Sequence, residues 1–312
     1  IHAVEMPVPL NDNGLTVRIS ATIGVSRYPR DGEDFDELLL RADQAMYRAK
    51  ALGRGRYALY RDGQTPGLPP SPGSDDELRQ ALKRGELTLH YQPVIDTHSG
   101  HAVGSEALMR WQHPREGLLT PARFIRRAEE GGFLQALGHL AIDAACSQNE
   151  RWKRAGHRPG RISINVSDAQ FRHPDWPEVL MAALKRHGTE RDELEVELTE
   201  TTLMADPEST QARIDMLHAL GVAVASDDFG TGLISLARLA ALKPARIKLD
   251  SSFVHRLPDD DSARGLVDGV VRLSRSLGCE VVAEGVETEA QRDTLHRLGC
   301  TRCGFNHVGI LP

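Results

Sequence analysis

The chain is poor in cysteine, lysine and aromatic residues, and it has no long apolar run. Four cysteines are scattered through 312 residues, at 146, 279, 300 and 303. That is too few and too uneven for a disulfide framework, and it fits a reducing compartment. Cys300 and Cys303 do form a CxxC, with His307 four residues on, and this leaves a zinc or redox reading open beside the simpler one of two buried thiols. No run approaches the roughly 20 apolar residues of a membrane span, and no charged-then-apolar leader opens the sequence. A cytoplasmic location is expected, with no membrane segment in this chain. The net charge is −6, which argues against a nucleic-acid-binding surface. A small anionic ligand would need local cations. Only six of the 38 basic residues are lysines.

The 40% hydrophobic and 26% charged content is that of a globular protein. Residues 1–62 read as one block. It has a strand-like stretch over 15–28 and a helical pattern over 34–55, in which Asp34 is placed to cap and Gly53 to terminate. Residues 63–74 are rich in Pro, Gly and Ser and read as a linker. Residues 75–312 alternate strands and helices. Strands are expected near 86–92, 102–108, 161–166, 193–199, 222–228, 245–250, 279–284 and 302–306. Helices are expected near 75–84, 121–130, 134–155, 177–187, 207–220, 233–242, 261–277 and 287–298. Such alternation implies a parallel sheet covered on both faces. The first two strands are joined by the short turn 96–100, which predicts an antiparallel hairpin. The fold class is therefore α/β, a TIM-like (β/α)8 barrel with an antiparallel first strand, behind a partial α+β unit.

Most of these apolar runs stop at or just before a polar side chain: Glu106, Asn165, Glu197, the pair Asp227-Asp228, Lys248 and Glu284. In a closed barrel they would meet at the C-terminal mouth, where barrel enzymes keep their chemistry. Five carboxylates and an amide there would repel one another without cations between them. The adjacent aspartates are the sharpest signal. In a regular strand they would face opposite sides, so each could serve a different ion, and Gly230 and Gly232 allow a tight turn after them. A simpler reading, an aspartate pair capping the next helix, loses force once the other strand ends are considered. Two divalent ions ~3.5–4 Å apart can clamp both oxygens of a phosphoryl displacement. Asp228-Phe229-Gly230 also spells a kinase-type motif, but no Gly-rich loop or HRD sequence accompanies it.

The motifs YQPV (91–94), SEALMRW (105–111), INVS (164–167), ELTE (197–200), DDFGTG (227–232), KLD (248–250) and AEGVET (283–288) stand in the order found in EAL domains. The second block resembles that family of cyclic di-GMP phosphodiesterases. Residues 15–60 resemble the C-terminal part of a GGDEF domain, without its signature or nucleotide loop, so cyclase activity is not expected. The chain is expected to be part of a longer protein with further GGDEF and sensor segments upstream.

The resemblance implies Mg²⁺ or Mn²⁺, two per site. Glu106, Asn165, Glu197 and Asp227 look like ligands of one ion, and Asp228 and Glu284 of the other, with Asp227 bridging. Lys248 resembles the lysine that touches the attacking water or the phosphate. Glu200 and Glu287 resemble groups that hold the loop after Asp228 and the lysine. Arg110 resembles a phosphate contact, and Gln92, Leu108 and Asp250 line up with substrate-binding positions. The implied partners are cyclic di-GMP and a second copy through the barrel. A non-enzymatic cyclic di-GMP receptor, signalling through a protein partner, is the alternative. The last strand departs from the family: Cys303 stands where a glutamine is usual, and His307 where an aromatic often follows. Leu233-Ile234-Ser235 replaces Tyr-Ser-Ser. The loss of the amide is expected to affect substrate placement, so that Cys303→Gln would raise kcat/KM.

Overall fold

The computed structural model describes residues 7–9, 16–18, 22–32, 38, 41–42, 45–46, 49, 57–60, 75–230 and 234–305. The chain divides into two compact units, Ile1–Ser71 and Pro72–Pro312. The expected linker 63–74 lies outside the described residues, as do Gly232, Leu233, Asn306 and His307.

In the first unit, β1 (Pro7–Pro9) pairs antiparallel with β2 (Thr16–Arg18), and β3 (Ile23–Val25) pairs parallel with β4 (Tyr57–Leu59). The single strand expected over 15–28 is thus two short strands in different sheets. Positions 38, 41–42, 45–46 and 49 are helical, and Ala45 and Ala49 are buried. Gly24 is needed where the strand meets this helix: a Cβ there would fall 1.8 Å from the Ala42 carbonyl oxygen. The caps expected at Asp34 and Gly53 lie outside the described residues.

The second unit is a closed barrel. Its strands are β5 (Leu87–Asp96), β6 (Ala102–His113), β8 (Arg161–Asn165), β9 (Leu194–Thr199), β10 (Ala223–Phe229), β11 (Arg246–Leu249), β12 (Glu280–Val286) and β13 (Arg302–Phe305). They pair in that order, and β5 closes the ring by pairing with both β13 and β6. Both pairings of β5 are antiparallel, whereas β6 and β8 through β13 run parallel. The short turn after β5 permits nothing else, because a parallel crossover needs a dozen or more residues. A short strand, β7 (Gly117–Leu119), folds back on β6.

Local sequence sets the helices between the strands. Asp206 caps Pro207–Ala219 by accepting from Ser209 N, with proline in the first turn. Asp260 caps Asp261–Leu277, and Gly278 ends that helix at φ 72°. Short helices at Asp168–Phe171, Glu200–Met204 and Ser251–Val254 follow directly on strands. At four or five residues they carry too little periodicity to be read from sequence.

The core lies between the strands and these helices. Ile162, Ile164, Leu194, Val196 and Leu198 face outward from β8 and β9 onto Phe171, Trp176 and Leu180. Each such buried side chain contributes about 1.5–3 kcal/mol through removal of apolar surface from water. On the other side of the ring, Val281, Ala283 and Cys303 face Val267, Val271 and Leu295. Because direction alternates along a strand, the residues between these face the barrel interior. The charged groups occupy those interior positions.

Candidate active site at the strand ends

The mouth of the barrel is built around one lysine. Lys248 Nζ lies 2.7 Å from Glu197 Oε2 and 2.7 Å from Glu284 Oε1. It is 3.1 Å from both Glu106 Oε2 and Asp227 Oδ1. Asn165 Nδ2 donates to the other Glu106 oxygen at 2.8 Å. Adjacent strands β6, β8, β9, β10, β11 and β12 thus deliver six groups to one place from the inward-facing side, five of them near their strand's C-terminal end and Glu106 from within β6, which runs on to His113 beyond its pairing with β8.

One ammonium does not balance four carboxylates. Burial, then the charges of Glu106, Asp227 and Glu284, push Glu197 well above the usual carboxylate range, against the pull of Lys248. Burial is the main reason Glu284 is pushed up to about 7, with Glu106 and Asp227 adding to it. Glu106 goes the other way: burial opposes its charge, but Lys248 and a hydrogen bond from Asn165 hold it below the usual value. Burial also works against the lysine, yet the surrounding carboxylates raise it well above its ordinary value. Lys248 is therefore a fixed cation.

Asp227 and Asp228 differ from the sequence expectation in direction. Asp228 has φ 52°, and the β10–β11 register shifts between Ser226 and Phe229. This left-handed step, tolerated by aspartate better than by most residues, breaks the alternation. As a result, both carboxylates turn to the same side. Ligand atoms of Asp227, Asp228 and Glu284 lie within 4.8 Å of one another. Asp227 Oδ1 is buried and accepts no hydrogen bond, although Nζ stands 3.1 Å away, so that contact is an ion pair without donor alignment. An orphaned buried carboxylate oxygen inside an all-oxygen donor set fits a hard divalent cation.

Of the remaining expected residues, Gln92, Glu106, Leu108, Lys248 and Glu284 line a cavity of about 250 Å³ at the mouth. Gln92 Nε2 donates to the Phe305 carbonyl at 3.0 Å. Arg110 donates to the Met109 carbonyl at 2.8 Å; burial makes its guanidinium more acidic than usual, while Glu106 pulls the other way. Glu200 accepts from Gly230 N at 2.8 Å and from Ile234 N at 3.4 Å, spanning the turn after the aspartate pair. Gly230, at φ 100°, sits so close to Phe253 that a Cβ would come within 2.5 Å of the ring. Asp250 caps the helix Ser251–Val254 by accepting from Ser252 N.

Two expectations do not match the geometry. Glu287 is exposed, and its backbone N–H donates to Gln291 Oε1 at 2.8 Å. It is not among the four carboxylates around Lys248, because β12 ends at Val286 and the chain has already left the barrel wall. Cys303 does not face the mouth: fully buried, it packs with Ile95, Ala283 and Leu295 behind the wall. Gly304, one residue on, lines the mouth cavity instead. A soft-metal site at Cys300 and Cys303 is equally unsupported. Among the described residues no third metal-binding side chain groups with them, and the Cys300 thiol donates to the Val281 and Arg302 carbonyls at 3.6 and 3.3 Å. Cys303→Gln is expected to lower stability by about 1–3 kcal/mol through overpacking and to leave kcat/KM no higher. Thermal melts and steady-state kinetics on this variant check both.

Comparison with known proteins identifies the family of the barrel. A family model described as the EAL domain matches residues 75–304, and one described as diguanylate cyclase, GGDEF domain, matches residues 2–56. The chain is 41% identical over 284 residues to the bifunctional diguanylate cyclase/cyclic di-GMP phosphodiesterase MucR of Pseudomonas aeruginosa, covering 91% of this chain and 42% of MucR. It is 34% identical to the cyclic di-GMP phosphodiesterase PdeR of Escherichia coli, covering 99% of this chain and 46% of PdeR. It thus spans less than half the length of either relative. Among solved structures, that of the PaMucR phosphodiesterase in its c-di-GMP complex superposes with a TM-score of 0.71 at 41% identity. That match covers 74% of this chain and 93% of the other. The EAL domain of Mycobacterium smegmatis DcpA matches with a TM-score of 0.60 at 33% identity, covering 71% of this chain and 89% of the other.

Proposed function

Because the chain belongs to the EAL-domain family, we propose that its barrel hydrolyses cyclic di-GMP to linear pGpG with the help of divalent metal ions. The observation that carries this reading is the convergence of Glu106, Asn165, Glu197, Asp227, Asp228 and Glu284 on one mouth, beside a charged lysine. Glu106, Asn165, Glu197 and Asp227 would hold one ion, and Asp227, Asp228 and Glu284 a second. Oxygen and amide donors suit Mg²⁺ or Mn²⁺. When bound, the ions offset the charge of the diester and acidify a water.

The protein's own groups do the rest. Lys248 keeps its proton at neutral pH and offers N–H donors to an anionic phosphoryl oxygen or to the attacking water. Arg110, on the same face of β6 as Glu106, adds a second fixed cation at the rim. Gln92, held by the Phe305 carbonyl, presents its amide to the mouth cavity. Glu200 acts through position: by tying down Gly230 and Ile234 it fixes the turn that aims Asp228. Holding reacting groups in place in this way accounts for much of an enzyme's rate gain.

The test is incubation with cyclic di-GMP and Mg²⁺ or Mn²⁺, followed by chromatography of the products. Formation of pGpG is expected. Chelation is expected to abolish it, and Ca²⁺ to suppress it, because Ca²⁺ takes more ligands at longer distances. Turnover that survives thorough chelation would overturn the metal assignment. Tight binding of cyclic di-GMP without product in any metal would instead make the chain a receptor.

A further inference from the structure

At the end of the barrel opposite the acidic mouth, the strands begin with a second charged cluster. Arg161 opens β8, Arg246 opens β11 and Arg302 opens β13. Arg161 and Arg246 reach Glu195 at 3.1 and 3.0 Å. Arg246 and Arg302 reach Glu280 at 2.9 and 2.7 Å. Three guanidiniums thus share two carboxylates. A girdle that only tied the strands together would be charge-balanced and packed over, as the stability end of a barrel usually is.

This end is neither. A cavity of about 480 Å³ opens over the cluster, lined by all three arginines. Its outer wall carries Lys153, His157 and Arg158, from the end of the helix Leu134–Arg154 and the segment after it. Two acidic residues line it: Glu193 pairs with Lys153 at 2.9 Å and accepts from the Glu190 backbone N–H at 2.8 Å, and Asp192 is exposed, its backbone carbonyl accepting from Arg161 at 2.9 Å. With Glu195 and Glu280 they set four carboxylates against the five cations Lys153, Arg158, Arg161, Arg246 and Arg302. Arg158 is exposed and makes no ion pair or hydrogen bond among the described residues. Burial, and then the charges of Arg246 and Arg161, make the Arg302 guanidinium more acidic than usual despite Glu280 and Glu195. The cluster is short of negative charge.

We propose that this cavity binds a multivalent phosphate group, of the di- or triphosphate kind, at the strand-start end of the barrel. Guanidinium forks match phosphate oxygens in pairs, and the space exceeds the need of a single orthophosphate. Such a group could arrive bare or attached to a nucleoside, and a neighbouring feature distinguishes the two. An apolar slot of about 290 Å³ adjoins the cavity, sharing His157 and Pro159 and walled by Tyr91 and Trp152. It also contains Ser105, whose hydroxyl is buried without a hydrogen-bond partner. A planar base could use this slot; an inorganic chain could not.

The experiment is calorimetric titration of the full chain, in metal-stripped buffer, with tripolyphosphate and separately with ATP. Saturable one-site binding that weakens steeply with salt is expected. Arg158→Ala, at an exposed position with no hydrogen bond or ion pair among the described residues, is expected to weaken it about tenfold, the cost of one charge-assisted hydrogen bond. Arg110→Ala, at the opposite mouth, should leave it unchanged. Tighter binding of ATP assigns the nucleoside-bearing form, and equal affinities assign inorganic polyphosphate. The proposal is overturned if neither probe binds at millimolar concentration, if Arg158→Ala binds like the parent, or if Arg110→Ala abolishes binding.

Discussion

Glu106→Gln is expected to lower cyclic di-GMP turnover on the order of a thousandfold while leaving the melting temperature unchanged or slightly raised. Glutamine keeps the volume of the side chain. Its carbonyl oxygen can still accept from Asn165, which donates to Glu106 at 2.8 Å, or from Lys248, which stands 3.1 Å away. The charge alone is lost. Three carboxylates remain around Lys248, so the ammonium is not orphaned. The substitution also removes one of the repulsions that help push Glu284 up to about 7. Stability therefore has little to lose. Rate has much to lose, because a group acting on charge in the transition state is worth about 3–4 kcal/mol and each 1.4 kcal/mol is roughly tenfold. Kinetics and thermal melts on the same preparation check the pair of outcomes. Near-parental turnover would sink the assignment of the mouth as the reaction centre, and a collapsed melt with partial activity would make Glu106 structural.

Lys248→Met is expected to do the reverse to stability. The lysine is 5% exposed and touches four carboxylates. Methionine preserves much of the packing but leaves those carboxylates with no cation. Removing one partner of a buried ionic cluster typically costs about 3–5 kcal/mol. For a domain of this size that is a fall of about 10 °C or more in melting temperature. Added Mg²⁺ or Mn²⁺ should restore much of it, since any ion that binds only the folded form stabilises by mass action. Turnover should stay low even when the fold is rescued, because the fixed ammonium is gone. The measurement is a melting curve with and without metal, followed by kinetics under the rescued condition. A variant as stable as the parent without metal would mean that the carboxylates are neutral in the fold. Recovery of full activity with metal would remove Lys248 from the chemistry.

Much of this site is legible in the sequence because strand direction is a local property. Alternation along β9 and β11 sends Glu197 and Lys248 inward, and their place near the strand ends sends them to the mouth. The hairpin β5–β6 was equally predictable, from a turn too short for a crossover. The same alternation could have located the second cluster: Glu195 and Arg246 precede Glu197 and Lys248 by two residues, and Glu280 precedes Glu284 by four. Those residues lie at strand starts, the end of a barrel that ordinarily serves stability, so their types alone signal no chemistry. The short helices and β7 were missed because a few residues carry no period.

Where alternation fails, the tertiary structure decided. One left-handed step at Asp228 turned two aspartates expected on opposite sides toward the same side, and a backbone angle of that kind follows from the bulge against β11. The resemblance implies a glutamine facing the mouth at position 303, yet closure of β13 between β12 and β5 sends the Cys303 thiol into the layer beneath the helices and gives the mouth to Gly304. Glu287 lies only three residues beyond Glu284, but the strand has ended and the chain has turned away. By itself, the sequence determined which polar groups end which strands, because that depends only on near neighbours along the chain. Which of them meet, and at what distance from a single lysine, was decided by the closing of the ring, because only that brings residues 106, 197, 227 and 284 within reach of one another.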